Sequence, residues 1–514
     1  MFSPLPVVSP AAIIVPPAAD FTIWPYQHRF QRAAQLMAEG IFDDLDAELE
    51  PLVLLIGIPV EGGPAVCLEP ESCGLPPESF MSVVARGQYL RRTRSEGWPV
   101  REGDSAEGLR RRHEFKGIKM AVQEVIDELT PKNAVRRSFA GWPVLIGDFF
   151  VVTVLQLRRK ALRHHPALKP NRYYTDGRPL ASSLIEAAIV RFGEECVKAL
   201  TEPEPGAGLL TRPRDTDEVV RAAGKFLMDT PAQALGLDPA GAKLFNVLNT
   251  VSSLRYEGTA GIGQMVLARR GHPNVQEIFA LTCPTPLSDY RAVRKLLQMS
   301  TPDVSLLADG ENVYALGQQV GQYDAAREDL FVISFLHHYV WELRHDAQVL
   351  VRSAYGQPNL PQSRLSRPEF RRGLRHTFGV TEPEKVERLW EVLLEASRQK
   401  HGTLVVITTE ALAEADRLKL QCTLIEPVPL TPLITRLVTA IDGAVLIDPE
   451  AYCYSIGVIL DGMASGRGSS TRGARYNSAL RYVESSPYPC MAIVVSEDGL
   501  VDILTKDTLP NRHE

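Results

Sequence analysis

The segment IDGAVLID, residues 441–448, reads as a turn feeding a strand, with one carboxylate, Asp442, at the turn. Before it, Leu430 to Ala440 has the spacing of a helix, and Thr403 to Thr408 (TLVVIT) is a β-branched strand too apolar to meet solvent on both faces. Farther upstream, Val386, Leu389, Val392, Leu393 and Ala396 recur every three or four residues. Glu384 to Lys400 is therefore expected as a helix with one buried face, ended by His401-Gly402. Beyond the turn come a strand from Ser455 to Leu460 and then DGMASGRGSSTRGARYNS, residues 461–478, which reads as a loop.

That loop has glycine at 462, 466, 468 and 473 and arginine at 467, 472 and 475. Glycines let backbone amides approach an anion, hydroxyls add donors, and guanidinium groups hold phosphate oxygens in a fork. The composition is that of a phosphate cradle; taken alone, it also fits a flexible exposed loop.

The order of these pieces adds information. A helix, Gly402 and a strand are followed by Asp442-Gly443-Ala444, the Gly/Ser/Thr/Arg loop, and MAIVVS (491–496) with Glu497 and Gly499. Over about 120 of the 514 residues this resembles the diadenylate cyclase (DAC) domain of the DNA-integrity-scanning and membrane-anchored diadenylate cyclases. The resemblance implies an α/β domain with a central mixed sheet flanked by helices, behind a larger α/β sensor or regulatory region. It further implies that two ATP molecules are joined into cyclic di-AMP, with loss of pyrophosphate, between two facing protomers. Asp442 would hold Mg²⁺ or Mn²⁺ and activate the 3′-hydroxyl, and Gly443 and Ala444 would give the close backbone approach to nucleotide. Arg475 would grip triphosphate, with Thr471, Arg472, Gly473, Tyr476, Asn477 and Ser478 around it. Ser496 and Glu497 would lie near metal and phosphates.

One departure bears on turnover. Aligned without gaps, Gly473 to Ala479 lies over the family's Gly-Thr-Arg-His-Arg-Ala-Ala, so that Arg475 is kept while Tyr476 and Asn477 replace histidine and the second arginine. If Thr471-Arg472 matches Thr-Arg instead, the loop carries an insertion and Arg475 supplies the second guanidinium. Two readings follow: a cyclase, and a cyclase-like nucleotide sensor with weakened turnover. A missing guanidinium would remove a contact of about 1.5–3 kcal/mol from a phosphate site.

Composition narrows the remaining classes. Hydrophobic residues at 45% and charged residues at 23% describe a globular chain, and a net charge of −6 gives no general reason to coat nucleic acid. The partners expected are ATP and a second copy of the chain, in a homodimer or higher assembly. Membrane and nucleic acid are not expected as partners. The seven cysteines form no Cys-x-x-Cys pair and read as buried reduced thiols of a cytoplasmic protein. No run of about 18 uncharged apolar residues is present to span a membrane.

The chain divides into an extended proline-rich arm (1–20), an N-terminal α/β region (21–365) and the DAC-like domain (366–514), with the edge near the Pro-rich stretch 355–368. In the N-terminal region a helix is expected from Tyr26 to Leu45, a strand from Leu52 to Val60, and a solvated loop or helix face at Arg110 to Arg112. An amphipathic helix should run from Ile118 to Leu129. Val144 to Leu157 should be β-rich, and helices should resume at Ser182 to Leu200, Thr216 to Met228 and Ala242 to Leu254. A hairpin is expected around Asp309-Gly310, and two strands within Leu330 to Val351. Gly258 to Gly263 lacks the glycine spacing of a dinucleotide loop and reads as a β-turn. The pairs His164-His165 and His337-His338, with His345, lack metal-ligand spacing, and Asp448 and Asp461 read as solvated strand-end carboxylates.

Overall fold

The computed structural model describes residues 22–60, 65–94, 98, 105–131, 133–170, 179–207, 215–238, 243–256, 259–361, 367–397, 399, 402–462, 473–496 and 501–508. The arm 1–20 therefore lies outside the described residues. Two compact units divide the chain between Pro361 and Gln362.

In the N-terminal unit, the strand Leu52–Pro59 lies between Cys67–Glu69 and Phe149–Arg158, antiparallel to both. Its side chains alternate between two cores. Leu54, Ile56 and Ile58 meet Val122 and Ile126 of the helix Ala106–Leu129, while Val53 and Leu55 join Ile41 and Phe42 of the helix Gln27–Leu45. The arginine run 110–112 lies on the helix Ala106–Leu129, whose first turn is capped by Ser105, its hydroxyl accepting from the Gly108 amide at 3.0 Å.

A second sheet of eight strands follows in this unit. Ser305–Ala308 and Asn312–Gln319 form the hairpin expected at Asp309-Gly310, where the Asp309 carboxylate accepts from the Asn312 amide at 2.8 Å. The stretch from Leu330 holds three strands rather than two: Leu330–His337, Val340–His345 and Gln348–Ala354. Tyr339 and Asp346, at φ 59° and 50°, reverse the chain between them in turns that carry neither glycine nor proline. Arg255–Tyr256 and Thr259–Ala260 pair as a two-stranded ribbon, and a further strand, Gly263–Ala268, follows where a dinucleotide site would need a helix; Gly258 lies outside the described residues.

The thiols depart from expectation at three positions, for Cys73 and Cys422 are only partly buried and Cys283 is exposed. Cys67, Cys196, Cys453 and Cys490 are buried, but Cys283 is exposed on Val275–Pro286, which pairs on one side only at the edge of its sheet. Among the described residues, no group of three or more His, Cys, Asp or Glu side chains could hold a metal ion. No described helix is long and apolar enough to cross a membrane.

The C-terminal unit runs α1 (Arg367–Phe378), α2 (Pro383–Ala396), β1 (Thr403–Thr408), α3 (Ala411–Arg417), β2 (Thr423–Pro429), α4 (Pro432–Val438), β3 (Ala444–Ile447), β4 (Tyr452–Val458), α5 (Gly473–Ser485), β5 (Cys490–Val495) and β6 (Val501–Thr505). Its sheet has the order β2-β4-β3-β1-β5-β6. β3 is parallel to β1 and every other pairing is antiparallel, so the sheet is mixed. The period-two alternation of β1, β3 and β5 feeds two helical layers. Val405, Ile407, Val445, Ile447 and Ile493 pack with Phe370, Leu389, Trp390 and Leu393 of α1 and α2. Leu404, Val406, Leu446 and Val494 pack with Ala411, Ala415, Leu480 and Val483 of α3 and α5.

Elements α1, α3, β2 and β6 escape the sequence reading, and one boundary moves. α3 is only seven residues long, and β2 is an edge strand with Pro427 and Pro429 and little burial, so neither shows a periodic apolar run. The loop expected through Ser478 ends earlier, because Gly473 to Ser478 open α5, whose Ala479, Leu480 and Val483 are buried at helical spacing.

Candidate functional site

Four chain crossings meet at one end of the C-terminal sheet. Ala444 opposes Leu404 in the parallel β3–β1 pair and Val458 in the β3–β4 pair, while Thr403 opposes Val495. The turn before β3, the exit of β4, the start of β1 and the exit of β5 therefore share this end. Asp442 and Gly443 occupy the first, Asp461 and Gly462 follow the second, Gly402 precedes β1, and Ser496 follows β5.

Gly443 is demanded by geometry. Its φ is +105°, and an added Cβ would lie 2.7 Å from the Gly457 carbonyl carbon across the β3–β4 pair. Gly457 itself has φ +62°. The two glycines let the chain turn sharply so that Asp442 stands outside the sheet end while Ala444, directly after, is fully buried.

Arg475, in the first turn of α5, donates from Nη2 to Asp442 Oδ1 at 2.9 Å. The Asp442 side chain is 89% exposed and that of Arg475 33%, so the carboxylate projects into solvent from the tip of the turn. The Arg475 hydrogen bond, its charge and the Gly443 amide hold the Asp442 carboxyl below the usual aspartate range. Gly473, at φ +74° with open space where a Cβ would go, begins the helix. Tyr476 packs partly buried against the core beneath α5. The Asn477 carbonyl and the Ser478 hydroxyl accept from Arg481 at 3.1 and 3.3 Å.

The structure thus brings Asp442, Gly443, Ala444, Gly473, Arg475 and Ser496 to a single end of the sheet, while Tyr476, Asn477 and Ser478 follow on α5, with Tyr476 turned to the core and Asn477 and Ser478 bonded to Arg481. Thr471, Arg472 and Glu497 lie outside the described residues. An ionised, solvent-facing carboxylate is a hard oxygen donor of the kind Mg²⁺ and Mn²⁺ accept, and Mg²⁺ commonly uses one or two protein carboxylates with phosphate oxygens and water.

Beside these residues stands a cluster that sequence reading misses. Arg417 donates from Nε and Nη2 to Glu414, each at 2.8 Å, and from Nη1 and Nη2 to Asp461 at 2.6 and 2.9 Å. The Glu414 carboxylate also accepts from Tyr482 Oη at 2.9 Å. Asp461 is consequently paired rather than merely solvated, and Arg417 holds its carboxyl below the ordinary range. Asp448 likewise serves its own turn, accepting from the amides of Glu450 and Tyr452 and from Tyr454 Oη, all at 2.9 Å.

Comparison with known proteins follows the same division of the chain. Residues 23–228 match the family described as "Probable sensor domain DACNG" and residues 242–347 that described as "Probable sensor domain DACNH". Residues 391–509 match the family described as "DisA bacterial checkpoint controller nucleotide-binding". No curated protein matches the chain. Among solved structures, a double mutant of DacA from Staphylococcus aureus is similar at 16% identity and a TM-score of 0.22, over 25% of this chain and 85% of that one. A hypothetical membrane spanning protein from Bacillus cereus is similar at 20% identity and a TM-score of 0.21, over 26% of this chain and 64% of that one. The helix-flanked mixed sheet with its Asp-Gly-Ala turn and arginine-bearing helix start is accordingly a DAC domain of the DisA nucleotide-binding family, placed behind two domains of the DACNG and DACNH sensor families.

Proposed function

We propose that the C-terminal unit binds ATP at this sheet end and, with a second copy of the chain, condenses two ATP molecules into cyclic di-AMP and pyrophosphate. The observation that carries this reading is the 2.9 Å contact between Arg475 and Asp442, which brings a cation for phosphate and a carboxylate for metal to the same place. Gly443 and Ala444 offer close backbone approach, and the N-terminal end of α5 at Gly473 would set the positive end of a helix dipole toward an anion. Arg475, with Arg472 and Thr471, would hold the triphosphate; Tyr476, Asn477, Ser478 and Ser496 would line the same place.

In the reaction, each ribose 3′-oxygen forms a bond to the α-phosphorus of the other nucleotide, and the bond to the β-phosphate oxygen breaks, releasing pyrophosphate. Asp442 would accept the 3′-hydroxyl proton. Asp442 would hold Mg²⁺ or Mn²⁺, whose charge offsets the negative charge of the phosphates, with Glu497 near the metal and phosphates. One unit carries a single Asp442 turn and a single Arg475 helix start, enough for one nucleotide, so two copies are needed for two ATP molecules. The sensor-family domains upstream would control how the two copies face each other.

A second reading is a nucleotide sensor with little turnover. It is favoured by Tyr476, which lies over the family's histidine in the gapless match and here packs against the core. Incubating the full-length protein with ATP and Mn²⁺ or Mg²⁺, with mass-spectrometric detection of products and calorimetric measurement of ATP binding, separates the readings. Cyclic di-AMP supports the first, binding without product supports the second, and absence of ATP binding rejects both.

A further inference from the structure

We infer that the flank of the helix Ala106–Leu129 around Lys116 and Lys119 is a binding site for a small dianion, a phosphate or a pair of carboxylates, carried on a flat organic body. Three cations there meet rings instead of carboxylates. The Arg111 guanidinium lies 5.3 Å from the centre of the Phe115 ring, the Lys116 ammonium 4.8 Å from that of Trp98, and the Lys119 ammonium 5.4 Å from that of Trp142. Among the described residues, none of the three forms an ion pair.

The carboxylates of this helix are placed or used elsewhere. Between residues 110 and 119 the chain has Arg110, Arg111, Arg112, Lys116 and Lys119 against Glu114 alone. At 3.6 residues per turn, Phe115, Lys116 and Lys119 share a flank about 100° wide, and Glu114 falls about 140° round the helix from Lys119. Farther along, Glu124 and Glu128 are taken by Arg86, and Glu124 also by Arg94, of the helix Val83–Arg94. Gln123, one turn beyond Lys119, spends its amide oxygen on the Ala140 N–H at 2.9 Å and its amide nitrogen on the Ser138 carbonyl at 3.1 Å.

The arrangement works against the fold when nothing is bound. Loss of water, and then the charge of Lys116, push the Lys119 amine down to about 8; burial, and then the charge of Arg112, lower Lys116 in the same direction. A methionine would cover the same rings without that penalty, and a residue kept at a cost to stability points to binding. A dianion reverses the balance. Residues at i and i+3 have Cβ atoms about 5–6 Å apart, so two ammoniums can grip one phosphate or two neighbouring carboxylates. Trp142 is 37% exposed, which leaves part of its ring open to stack on a flat ligand, while Trp98, 8% exposed, forms a wall. A nucleic-acid backbone fits less well, because these ammoniums are drawn back over rings where successive phosphates need extended side chains, and the net charge of −6 gives no long-range attraction.

The test is calorimetric titration of the full-length protein near pH 7 with phenyl phosphate, phthalate and inorganic phosphate, repeated on Lys116→Met and Lys119→Met with the thermal midpoint of each. Phenyl phosphate, phthalate or both should bind the wild type with a dissociation constant of about 1 mM or lower, and the tighter of the two identifies the anionic group. Each lysine variant should weaken that binding by about tenfold, the loss of one charge-assisted contact, while Lys119→Met raises the thermal midpoint. Absence of binding by both ring-bearing probes overturns the inference. Binding unchanged in both lysine variants places the probe elsewhere and overturns it too, as does inorganic phosphate binding as tightly as phenyl phosphate, since the rings would then contribute nothing. Should Lys119→Met fail to fold, Lys116→Met decides alone by its affinity.

Discussion

Arg475 and Asp442 stand 33 positions apart in the chain, yet the guanidinium of one donates to the carboxylate of the other at 2.9 Å. The contact joins the first turn of α5 to the turn that feeds β3. It leaves the outer oxygen of an exposed carboxylate facing solvent, beside a cation that can turn toward a phosphate. Arg475→Met should therefore lower ATP affinity by about tenfold or more, the loss of one charge-assisted hydrogen bond. It should also return the Asp442 carboxyl toward its ordinary value, followed as a side-chain NMR titration. Because the folded-state value is depressed, whatever stability the pair contributes is present above the ordinary aspartate range and is lost as pH falls through the depressed value. An unchanged ATP affinity would remove Arg475 from the site.

The two glycines of the site should respond differently to alanine. At Gly443 the new Cβ meets a φ of +105° and backbone atoms of Gly457 at 2.7–3.0 Å, none of which can swing away. At Gly473 φ is +74°, and nothing lies within 4 Å of the added atom. Gly473→Ala should therefore cost about 1–2 kcal/mol, from the left-handed backbone alone. Gly443→Ala should cost about 3 kcal/mol or more and push Asp442 out of place. Urea unfolding of the two variants measures the difference, and equal costs would mean that the β3–β4 approach relaxes freely.

Much of this site is legible in the chain, for reasons that differ by residue. β1 and β3 are buried on both faces, so each appears as an unbroken apolar run, and the Asp442-Gly443 turn is marked by the residue types that such turns demand. The start of α5 is hidden because glycine, serine and arginine crowd the residues before it, and the buried Ala479, Leu480 and Val483 emerge only after Ser478. That start decides where Arg475 points, so its meeting with Asp442 cannot be read from spacing. Arg417 and Asp461 lie 44 positions apart and are joined across a seven-residue helix, which leaves no periodic trace at all. In the N-terminal unit the reversals at Tyr339 and Asp346 stay concealed because neither turn carries glycine or proline, the strongest local markers, although Asp346 is itself a residue type that tolerates left-handed backbone.

The N-terminal unit carries a charge whose burial should be visible in stability. Lys119, on the helix Ala106–Leu129, places its ammonium 5.4 Å from the centre of the Trp142 ring. Loss of water around it, and then the neighbouring Lys116, push its amine down to about 8. Between that value and the ordinary lysine value of about 10.4 the unfolded chain holds a proton that the folded chain has released, so this residue makes stability rise with pH across the window. Below pH 8 its full penalty applies. Lys119→Met should thus stabilise the protein at pH 7 by about 1–2 kcal/mol, after allowing for the lost cation–π contact. The gain should shrink steadily from pH 8 to 10. Urea titrations at pH 7 and 9.5 check this, and a gain independent of pH would assign it to packing instead.

Glu414 and Tyr482 offer a measure of how the buried side of the Arg417 cluster is built. Tyr482→Phe removes one neutral-to-charged hydrogen bond but leaves Glu414 with both Arg417 contacts, so it should cost about 1–2 kcal/mol. Glu414→Ala removes a carboxylate that is 1% exposed, opens a space beneath α3, and leaves the Tyr482 hydroxyl buried without its acceptor. Its cost should be about 3–5 kcal/mol. In the double variant the hydroxyl is absent as well, and the orphaned donor that made Glu414→Ala so expensive no longer exists. The double variant should therefore be about 1 kcal/mol or more better than the sum of its parts. Burial pushes the Tyr482 phenol well above its usual range, with the Glu414 carboxylate as the second cause, and in Glu414→Ala the phenol should titrate at lower pH. Urea unfolding together with ultraviolet titration of the phenol reads both effects, and strict additivity with an unmoved phenol would show that Tyr482 does not hold Glu414 in place.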